Sequence, residues 1–315
     1  MNGVGSGRPL RIATLLPSAT EIVCALGLQQ QLVGVSHECD FPAGVDALPR
    51  LTRAKLDAHD TSKAIDTAVR DLVTRGLGVY AIDTEALHAA APDVIVTQDQ
   101  CDVCAVTLAD VEAAAREWLG TDARIVSLRP ARFDDILADV ARVGEAVDAA
   151  AAAQAWLATA RERIDAVRTR VGAARYRPRV ACIEWLEPLM LAGNWIPEMV
   201  ELAGGGYDAV APDVHSPAAD WVRLLELDPE VAVVMPCGFG LEQSLRELPA
   251  WTAQASWRAL PAVRNGRAYV VDGNAYLNRP GPRIIDSLEL LGGLIQPGLL
   301  AHRIPAGSYC RLGDG

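Results

Sequence analysis

The chain has 315 residues, of which half are hydrophobic and 22% are charged, so it can bury a sizeable core and is not intrinsically disordered. This length exceeds that of a typical single domain and favours two. A formal net charge of −11 argues against a nucleic-acid-binding surface and against electrostatic docking on an anionic membrane, because both need clustered cations.

The first 130 residues are predicted to alternate strands and helices. An apolar strand covers residues 10–15, and Ser18 with Glu21 forms an S-x-x-E capping box that begins a helix ending at Gly27. Continuous apolar strands of this kind are typical of a parallel sheet covered on both faces. The other predicted elements are strands over residues 32–35, 94–97 and 124–128, a helix capped by Thr84 that ends before Pro92, and a helix over residues 107–119.

Two helices interrupt this alternation in the middle of the chain. Apolar residues recur at helical spacing from Phe133 to Val143, and an Ala-rich helix is predicted over residues 148–171. At 1.5 Å per residue the second helix spans about 36 Å, which is long enough to bridge two lobes. Strand–helix units then resume, with strands over residues 180–183, 231–235 and 268–271 and helices over residues 196–203, 219–227 and 283–295.

These patterns predict an α/β protein with two doubly wound lobes, joined by a long rigid helix, and a ligand cleft between the lobes. The predicted boundaries are a flexible tail (1–9), an N-terminal lobe (10–130), linking helices (131–175), a C-terminal lobe (176–300) and a second tail (301–315). We expect a monomer that binds a small molecule or metal chelate, with no nucleic-acid partner and no insertion into a membrane.

Polar and aromatic side chains follow the predicted strands. In an open parallel sheet, ligands bind beyond the carboxyl ends of the strands, so these side chains are candidates for ligand contacts. Large rigid rings at such an edge suit a flat, apolar or macrocyclic ligand. The candidates identified in this way are His37, Glu184, Trp185, Phe239 and Asn274.

Four of the seven cysteines also follow predicted strands, namely Cys39, Cys101, Cys104 and Cys237. Thiolates bind zinc, cuprous copper and iron–sulfur clusters, and a C-x-x-C pair with further sulfurs and His37 would complete such a site. The alternative is that these cysteines are packing residues, which is the common role of a free cysteine. The pattern leaves both interpretations open, and the odd number of cysteines argues against a disulfide framework.

The sequence contains no recognised catalytic motif. It has no Walker A loop, no G-x-G-x-x-G between a strand and a helix, and no G-x-S-x-G nucleophile elbow. A thiol-dependent enzyme using Glu184 or Cys101 has the least support, because no set of nucleophile, base and orienting group can be assembled. We therefore expect a binding protein rather than an enzyme.

Several segments resemble those of a known family. They include RIATLLPSATEI at residues 11–22, VGVS at 33–36, APDVIV at 91–96, VELAGG at 200–205 and RPGPR at 279–283. These segments are similar to those of the periplasmic cobalamin-binding proteins, within the class III substrate-binding proteins that also bind iron–siderophores. The resemblance extends from about residue 10 to residue 295 and implies two α/β lobes joined by a long helix.

The resemblance implies a function and further site residues. It implies a protein that binds cobalamin or a related metal chelate, as part of an ABC-type uptake system or as a cytoplasmic derivative of one. In the family, the loop after the first strand and an aromatic residue before the final helix contact the corrin, which corresponds here to Pro17, Ser18 and Tyr276. Arg279, in the last resembling segment, is a further candidate. The alternative function is a cysteine-ligated metal-ion or iron–sulfur protein, acting as a sensor or carrier.

Three features depart from the family pattern. The apolar run near Met1, residues 12–16, is too short for a signal peptide, so we expect a cytoplasmic protein, or a periplasmic one if a leader was removed. The family docks on its transporter through one acidic residue per lobe; Glu85 fits in the first lobe, whereas the second has Val222, with Asp220 nearby. The cysteines are a third departure and indicate a leaderless, cysteine-containing subgroup.

Overall fold

The computed structural model describes residues 8–75, 79–98, 111 and 123–312. The chain forms two compact units. The first unit consists of residues 1–55, 72–129 and 139–156, and the second consists of residues 56–71, 130–138 and 157–315. Residues 56–71 and 130–138 therefore pack with the second unit, although the predicted boundaries at 10–130 and 131–175 treat them as parts of other segments.

The sheet of the first unit has four parallel strands in the order β2-β1-β5-β6. Their uninterrupted apolar sequences explain the arrangement, because both faces of β1 and β5 are covered and nearly every side chain on them is buried. This confirms the predicted parallel sheet. The strands are β1 (Ile12–Thr14), β2 (Leu32–Val35), β5 (Val94–Gln98) and β6 (Arg124–Leu128).

A small antiparallel pair, β3 (Thr52–Ala54) and β4 (Tyr80–Ile82), lies beside this sheet. Leu51, which precedes β3, is fully buried, and its backbone N–H donates to the carbonyl of Val35 at the end of β2. This contact brings β3 next to the carboxyl end of β2. Neither strand is apparent from the sequence, since three residues each are too few to show an alternation.

Helices α1 (Pro17–Ala25) and α3 (Thr84–Ala90) belong to the first unit. The prediction that Ser18 caps α1 is wrong. The helix begins at Pro17 after the N-cap Leu16, and no side-chain hydrogen bond caps it among the described residues. Ser18 lies inside the first turn, so the capping box with Glu21 does not form. Proline is well suited to the first helical position, because its fixed φ is helical and its missing N–H would be unpaired there. Helix α3 is likewise capped by Asp83 rather than by the predicted Thr84.

Three helices contain residues of both units: α2 (Ser62–Thr74), α4 (Phe133–Ala146) and α5 (Ala150–Val171). The 22-residue α5 confirms the predicted long helix with a slightly later start. The turn between α4 and α5 is tight, because a Cβ on Gly144 would lie 2.5 Å from the Cβ of Ala153. Only glycine at this position lets the two helices approach so closely.

The sheet of the second unit has five strands in the order β11-β10-β9-β7-β8. The central strands β10, β9 and β7 are parallel, and both outer strands are antiparallel to their neighbours. Strand β11 pairs along all four residues of β10, which corrects the prediction that residues 301–315 are a tail. The strands are β7 (Val180–Trp185), β8 (Met190–Leu191), β9 (Val231–Val234), β10 (Ala268–Val271) and β11 (Tyr309–Leu312).

The helices of the second unit cover this sheet. The most hydrophobic, α11, is buried at all but one of its twelve positions. No helix in the described ranges combines the length and the apolar character that crossing a bilayer requires. The helices are α6 (Ile196–Leu202), α7 (Trp221–Glu226), α8 (Leu241–Thr252), α9 (Ala255–Ala259), α10 (Pro261–Arg264), α11 (Ile284–Ile295) and α12 (Pro297–Leu300).

Candidate functional site

In the first unit, a chain of side-chain hydrogen bonds follows the end of β2. His37 Nδ1 lies 2.7 Å from the hydroxyl oxygen of Thr52, and the backbone N–H of His37 donates to the same oxygen at 3.1 Å. The Thr52 hydroxyl in turn donates to the hydroxyl oxygen of Ser36 at 3.0 Å. Thr52, at the start of β3, therefore fixes both the backbone and the ring of His37.

This network determines which nitrogen of His37 carries the proton. A hydroxyl has one hydrogen, and that of Thr52 is directed to Ser36, so Nδ1 of His37 must be the donor to Thr52. Burial and the nearby Arg50 guanidinium lower the pKa of His37, which favours the neutral ring. In that tautomer Nε2 carries a lone pair. Among the described residues, Nε2 has no hydrogen-bond partner.

Aromatic and cationic contacts hold the same loop. The ring of Tyr80 packs edge-on against that of His37, with centroids 4.9 Å apart, and its hydroxyl donates to Glu38 at 2.6 Å. The Arg50 guanidinium donates to the carbonyl oxygens of Ser36 and Cys39, both at 2.9 Å. The loop after β2 is thus held by β3, β4 and Arg50.

Pro17 and Ser18 follow β1, which is the neighbour of β2 in the sheet. Thr14 pairs with Val35 in the register of these parallel strands, so the segments after them begin at the same edge. Pro17 is half-buried, whereas Ser18 is only 2% exposed. The structure therefore brings Pro17 and His37 to one edge, as predicted, and leaves Ser18 largely covered.

The predicted cysteine ligands are only partly described. Cys101 and Cys104 lie outside the described residues. Cys39 is 2% exposed, and its Sγ lies 3.0 Å from the Thr20 hydroxyl, which favours the packing alternative for this residue. Cys237 is half-buried in the second unit. Within the described ranges no three His, Cys, Asp or Glu side chains are grouped as a metal site would require, and the four-cysteine site stays a prediction.

In the second unit, backbone hydrogen bonds join the carboxyl end of β7 to the segment after β9, and that segment to the one after β10. The N–H of Cys237 donates to the carbonyl of Glu184 at 3.1 Å, and the N–H of Asn274 donates to the carbonyl of Phe239 at 3.1 Å. Gly273 approaches the backbone so closely that a Cβ would lie 2.1 Å from the carbonyl oxygen of Pro236. The structure therefore brings Glu184, Phe239 and Asn274 together at one edge.

Trp185 and Glu184 are both held in place at this edge. The Trp185 ring packs against Phe239, with centroids 5.1 Å apart, and its indole N–H donates to the carbonyl of Ser62 at 3.2 Å. Phe239 is only 2% exposed, so it contributes to the packing of Trp185 and presents almost no surface of its own. The Ser216 hydroxyl donates to the Glu184 carboxylate at 2.7 Å and accepts the N–H of Gly193.

The loop after β10 positions the remaining candidates. Asp272 accepts the backbone N–H groups of Asn274 and Ala275, at 3.1 and 2.8 Å, in a tight turn. The Asn274 side-chain oxygen accepts a hydrogen bond from Arg279 at 2.7 Å. Arg279 is only 6% exposed, whereas Tyr276 is half-buried, with the Arg283 guanidinium 5.9 Å from its ring centre.

Residues 57–63 also adjoin this edge, although they are not among the predicted site residues. Glu247 accepts the backbone N–H and the hydroxyl of Ser62, at 2.7 and 2.5 Å, where α2 begins. Lys63 pairs with Glu187 at 2.7 Å, and this hydrogen bond and charge raise the pKa of Lys63. The apolar residues at helical spacing from Ile65 to Leu72 are the signal that would have predicted α2.

The predicted docking positions are on short helices. Glu85 is exposed in the first turn of α3. In the second unit Asp220 is the N-cap of α7 and accepts the N–H of Arg223 at 2.8 Å, while Val222 is 63% exposed. The docking role of Glu85 stays a prediction, as does the location of the ligand in a cleft.

Comparisons with known proteins agree with the resemblance. The sequence pattern of the periplasmic binding protein family matches residues 12–275. A vitamin B12-binding protein of Vibrio cholerae serotype O1 is 25% identical over 281 residues, which cover 89% of this chain and 86% of that protein.

Solved structures show the same fold. The periplasmic vitamin B12-binding protein BtuF of Vibrio cholerae has a TM-score of 0.63 at 23% identity, covering 92% of this chain and 98% of its own. A periplasmic heme-binding protein of Pseudomonas aeruginosa has a TM-score of 0.69 at 19% identity, with coverages of 93% and 94%. Because the family pattern matches well over half of its length, the chain belongs to the periplasmic binding protein family.

Proposed function

We propose that this protein is a substrate-binding protein whose ligand is cobalamin or a closely related metal chelate. The observation that carries the proposal is the match to a vitamin B12-binding protein over 89% of this chain and 86% of that one. The family match over residues 12–275 spans the segments after β1, β2, β5 and β9, and segments in these positions hold ligands in open α/β sheets.

The geometry of the second unit supports this proposal. Ligand sites combine apolar or aromatic surface with a few fixed polar groups. The Trp185 ring, held by Phe239 and Ser62, supplies a rigid aromatic surface, and Glu184 and Asn274 are polar groups oriented by Ser216 and Arg279. Groups that are already oriented lose little entropy on binding, which favours affinity.

The thiol-dependent enzyme is the weakest alternative. Burial raises the pKa of the Cys182 thiol, and burial with the nearby Glu21 carboxylate raises the pKa of Cys24 to about 11. Catalytic thiols need the opposite shift, because the thiolate is the nucleophile, so neither Cys182 nor Cys24 suits this role. Cys101, the predicted nucleophile, lies outside the described residues. For the iron–sulfur alternative, anaerobic purification followed by metal and sulfide analysis is the direct measurement.

The test is direct binding of the purified chain to four ligands, measured by calorimetry. The ligands are aquocobalamin, cyanocobalamin, ferric heme and a ferric siderophore. We expect saturable binding of a cobalamin with one site per chain. The absence of heat with either cobalamin at about 100 µM, a concentration that would half-saturate even a weak site, would contradict the proposal.

A pair of tyrosine variants makes this test specific. Replacing Tyr276 with alanine should weaken binding about tenfold, or ~1.4 kcal/mol, because truncating an aromatic anchor costs at least this much. Tyr176→Ala is the matched control, since Tyr176 is 58% exposed and donates to Glu230. Equal affinities of the two variants would exclude Tyr276 from the site.

A further inference from the structure

Leu277 has a strained backbone conformation in the loop between β10 and α11. Its φ is +67°, in the left-handed region that residues other than glycine rarely adopt, and the N–H of Asn278 donates to the carbonyl of Tyr276 at 2.7 Å. These three residues therefore form the positive-φ kind of γ-turn, which is rare and strained. Such strain persists only where the surrounding structure enforces it, and it is concentrated at ligand-binding and catalytic sites.

Three features of the second unit hold Leu277 in this conformation. Its side chain is fully buried, which anchors the turn in the core. Its carbonyl oxygen accepts the indole N–H of Trp195 at 2.7 Å, and Trp195 is itself only 5% exposed. Its N–H donates at 3.0 Å to the hydroxyl of Ser287 on α11, which in turn donates to the carbonyl of Arg283. Both polar backbone groups of the strained residue are therefore bonded to side chains from outside the turn.

The turn fixes the residue that precedes Leu277, which is Tyr276. The N–H of Tyr276 donates to the carbonyl of Asp272 at 3.0 Å, and its own carbonyl is the acceptor within the turn. After the turn, the Asn278 side chain donates to the carbonyl of Met235 at 2.6 Å. A loop that only connected β10 to α11 could use an unstrained glycine in place of Leu277, so the geometry indicates a role in orienting Tyr276.

We propose that Trp195 is a positioning residue for ligand binding. Its hydrogen bond to Leu277 holds the strained turn, and the turn holds Tyr276 in the orientation in which it contacts the ligand. This inference rests on the proposed function and adds a residue that acts through another, because the buried Trp195 ring has almost no surface to present to a ligand. A side chain that is oriented before the ligand arrives loses less conformational entropy on binding.

The experiment uses the full chain and cyanocobalamin, with affinity measured by calorimetry at a temperature where every variant is folded. Trp195→Phe keeps an aromatic ring but removes the N–H that Leu277 accepts. We expect the dissociation constant to rise about fivefold, because the strained turn relaxes without this donor. Trp257→Phe is the matched control. Trp257 is also buried, at 2% exposure, but packs against Trp251, so this variant should keep the affinity of the parent protein.

A double variant distinguishes positioning from a general structural role. If Trp195 acts through Tyr276, Trp195→Phe should change the affinity by less than about twofold in the Tyr276→Ala background, because the side chain that it orients is absent. An equally large loss of affinity in that background would overturn the proposal. So would a Trp195→Phe variant that binds as tightly as the parent protein.

A measurement without ligand separates this inference from the proposed function. In chains labelled with 3-fluorotyrosine, the ¹⁹F resonance of Tyr276 is identified among those of the six tyrosines by its absence from Tyr276→Phe. We expect this resonance to shift and broaden in Trp195→Phe and to stay unchanged in Trp257→Phe. An unchanged resonance in Trp195→Phe would overturn the inference. If the resonance changes as expected but the parent protein does not bind either cobalamin, the proposed function fails and the hold of Trp195 on Tyr276 is supported.

Discussion

At the end of β2, side chains from β3, β4 and Arg50 hold the following loop, whereas at the ends of β7, β9 and β10 backbone groups also bond directly to one another. In the first unit, Thr52 and Tyr80 hold His37. In the second unit, the backbones of Glu184 and Cys237 are bonded directly, and Gly273 lies against the carbonyl of Pro236. The first edge therefore depends on a few replaceable side chains, and the second depends on the close approach of three loops.

This difference indicates which substitutions each edge can tolerate. A side-chain network changes its chemistry when one hydroxyl is removed, while the surrounding backbone stays in place. A backbone-bonded edge keeps its shape through most side-chain changes and fails where added atoms separate the loops.

The largest effect is expected at Gly273. Gly273→Ala places a methyl group 2.1 Å from the Pro236 carbonyl oxygen, so the loops after β9 and β10 must separate. We expect a loss of about 3 kcal/mol in the free energy of unfolding, measured by urea denaturation. Gly298→Ala is the control, because a Cβ there meets no atom within 4 Å. Equal stability of both variants would show that the second edge is loosely packed.

A smaller loss is expected at Thr52. Thr52→Val keeps the shape of the side chain but leaves His37 Nδ1 and the His37 N–H without their acceptor. We expect about 2 kcal/mol of destabilisation, since unpaired buried donors cost this much. Thr74→Val, at an exposed helical position, should stay within about 0.5 kcal/mol of the parent protein. If Thr52→Val left the free energy of unfolding unchanged, the Thr52 hydroxyl would not be needed as an acceptor for His37.

At Glu247 the expected effect is local. Glu247→Ala removes the carboxylate that accepts both the N–H and the hydroxyl of Ser62 at the start of α2. We expect a loss of about 1 kcal/mol, as for the removal of a helix cap, and faster amide exchange at residues 62–65. Glu242→Ala is the matched control, because its side chain is 92% exposed and pairs with Arg246 one turn away on the same helix. Unchanged amide exchange at residues 62–65 in Glu247→Ala would contradict a stabilising contact between Glu247 and Ser62.

The smallest effect concerns pH. Burial and Arg50 lower the pKa of folded His37 below its ordinary 6.5, and the Tyr80 ring, whose hydroxyl is bonded to Glu38, packs against the His37 ring. The unfolded chain then takes up this proton first, so the stability from neutral His37 is present above pH 6.5 and is lost as pH falls through the lower folded pKa. His37→Gln should show a weaker decline of the urea midpoint from pH 7.5 to pH 5, without ligand. If the urea midpoint of His37→Gln fell as steeply as that of the parent protein, protonation of His37 would not contribute to the loss of stability at low pH.

The central sheets could be predicted from the sequence because their strands are continuous apolar runs. The predicted strands at residues 32–35, 124–128 and 268–271 coincide with β2, β6 and β10. Strands β3, β4 and β11 were missed, because they are short and contain polar residues such as Arg53 and Arg311, so only tertiary pairing reveals them. Family resemblance correctly indicated the two-unit α/β architecture.

The candidate site was predictable only where it follows directly from strand ends. Reading past the strands identified His37, Glu184 and Asn274, and the structure places the last two at one edge. The partners of His37 are distant in sequence, 15 residues away for Thr52 and 43 for Tyr80, and both lie on the strands that were missed. The tautomer of His37 therefore depends on contacts that no local pattern contains.

Three helices contain residues of both units, and this limits where the chain can be divided into fragments. A single cut after residue 130 would leave residues 56–71 on the fragment that lacks their packing partners, among them Glu247 and Trp185. Neither half would then retain its complete core. Split-reporter or fragment-complementation studies of this chain should accordingly use breakpoints in loops within one unit, where the interrupted backbone can reassemble locally.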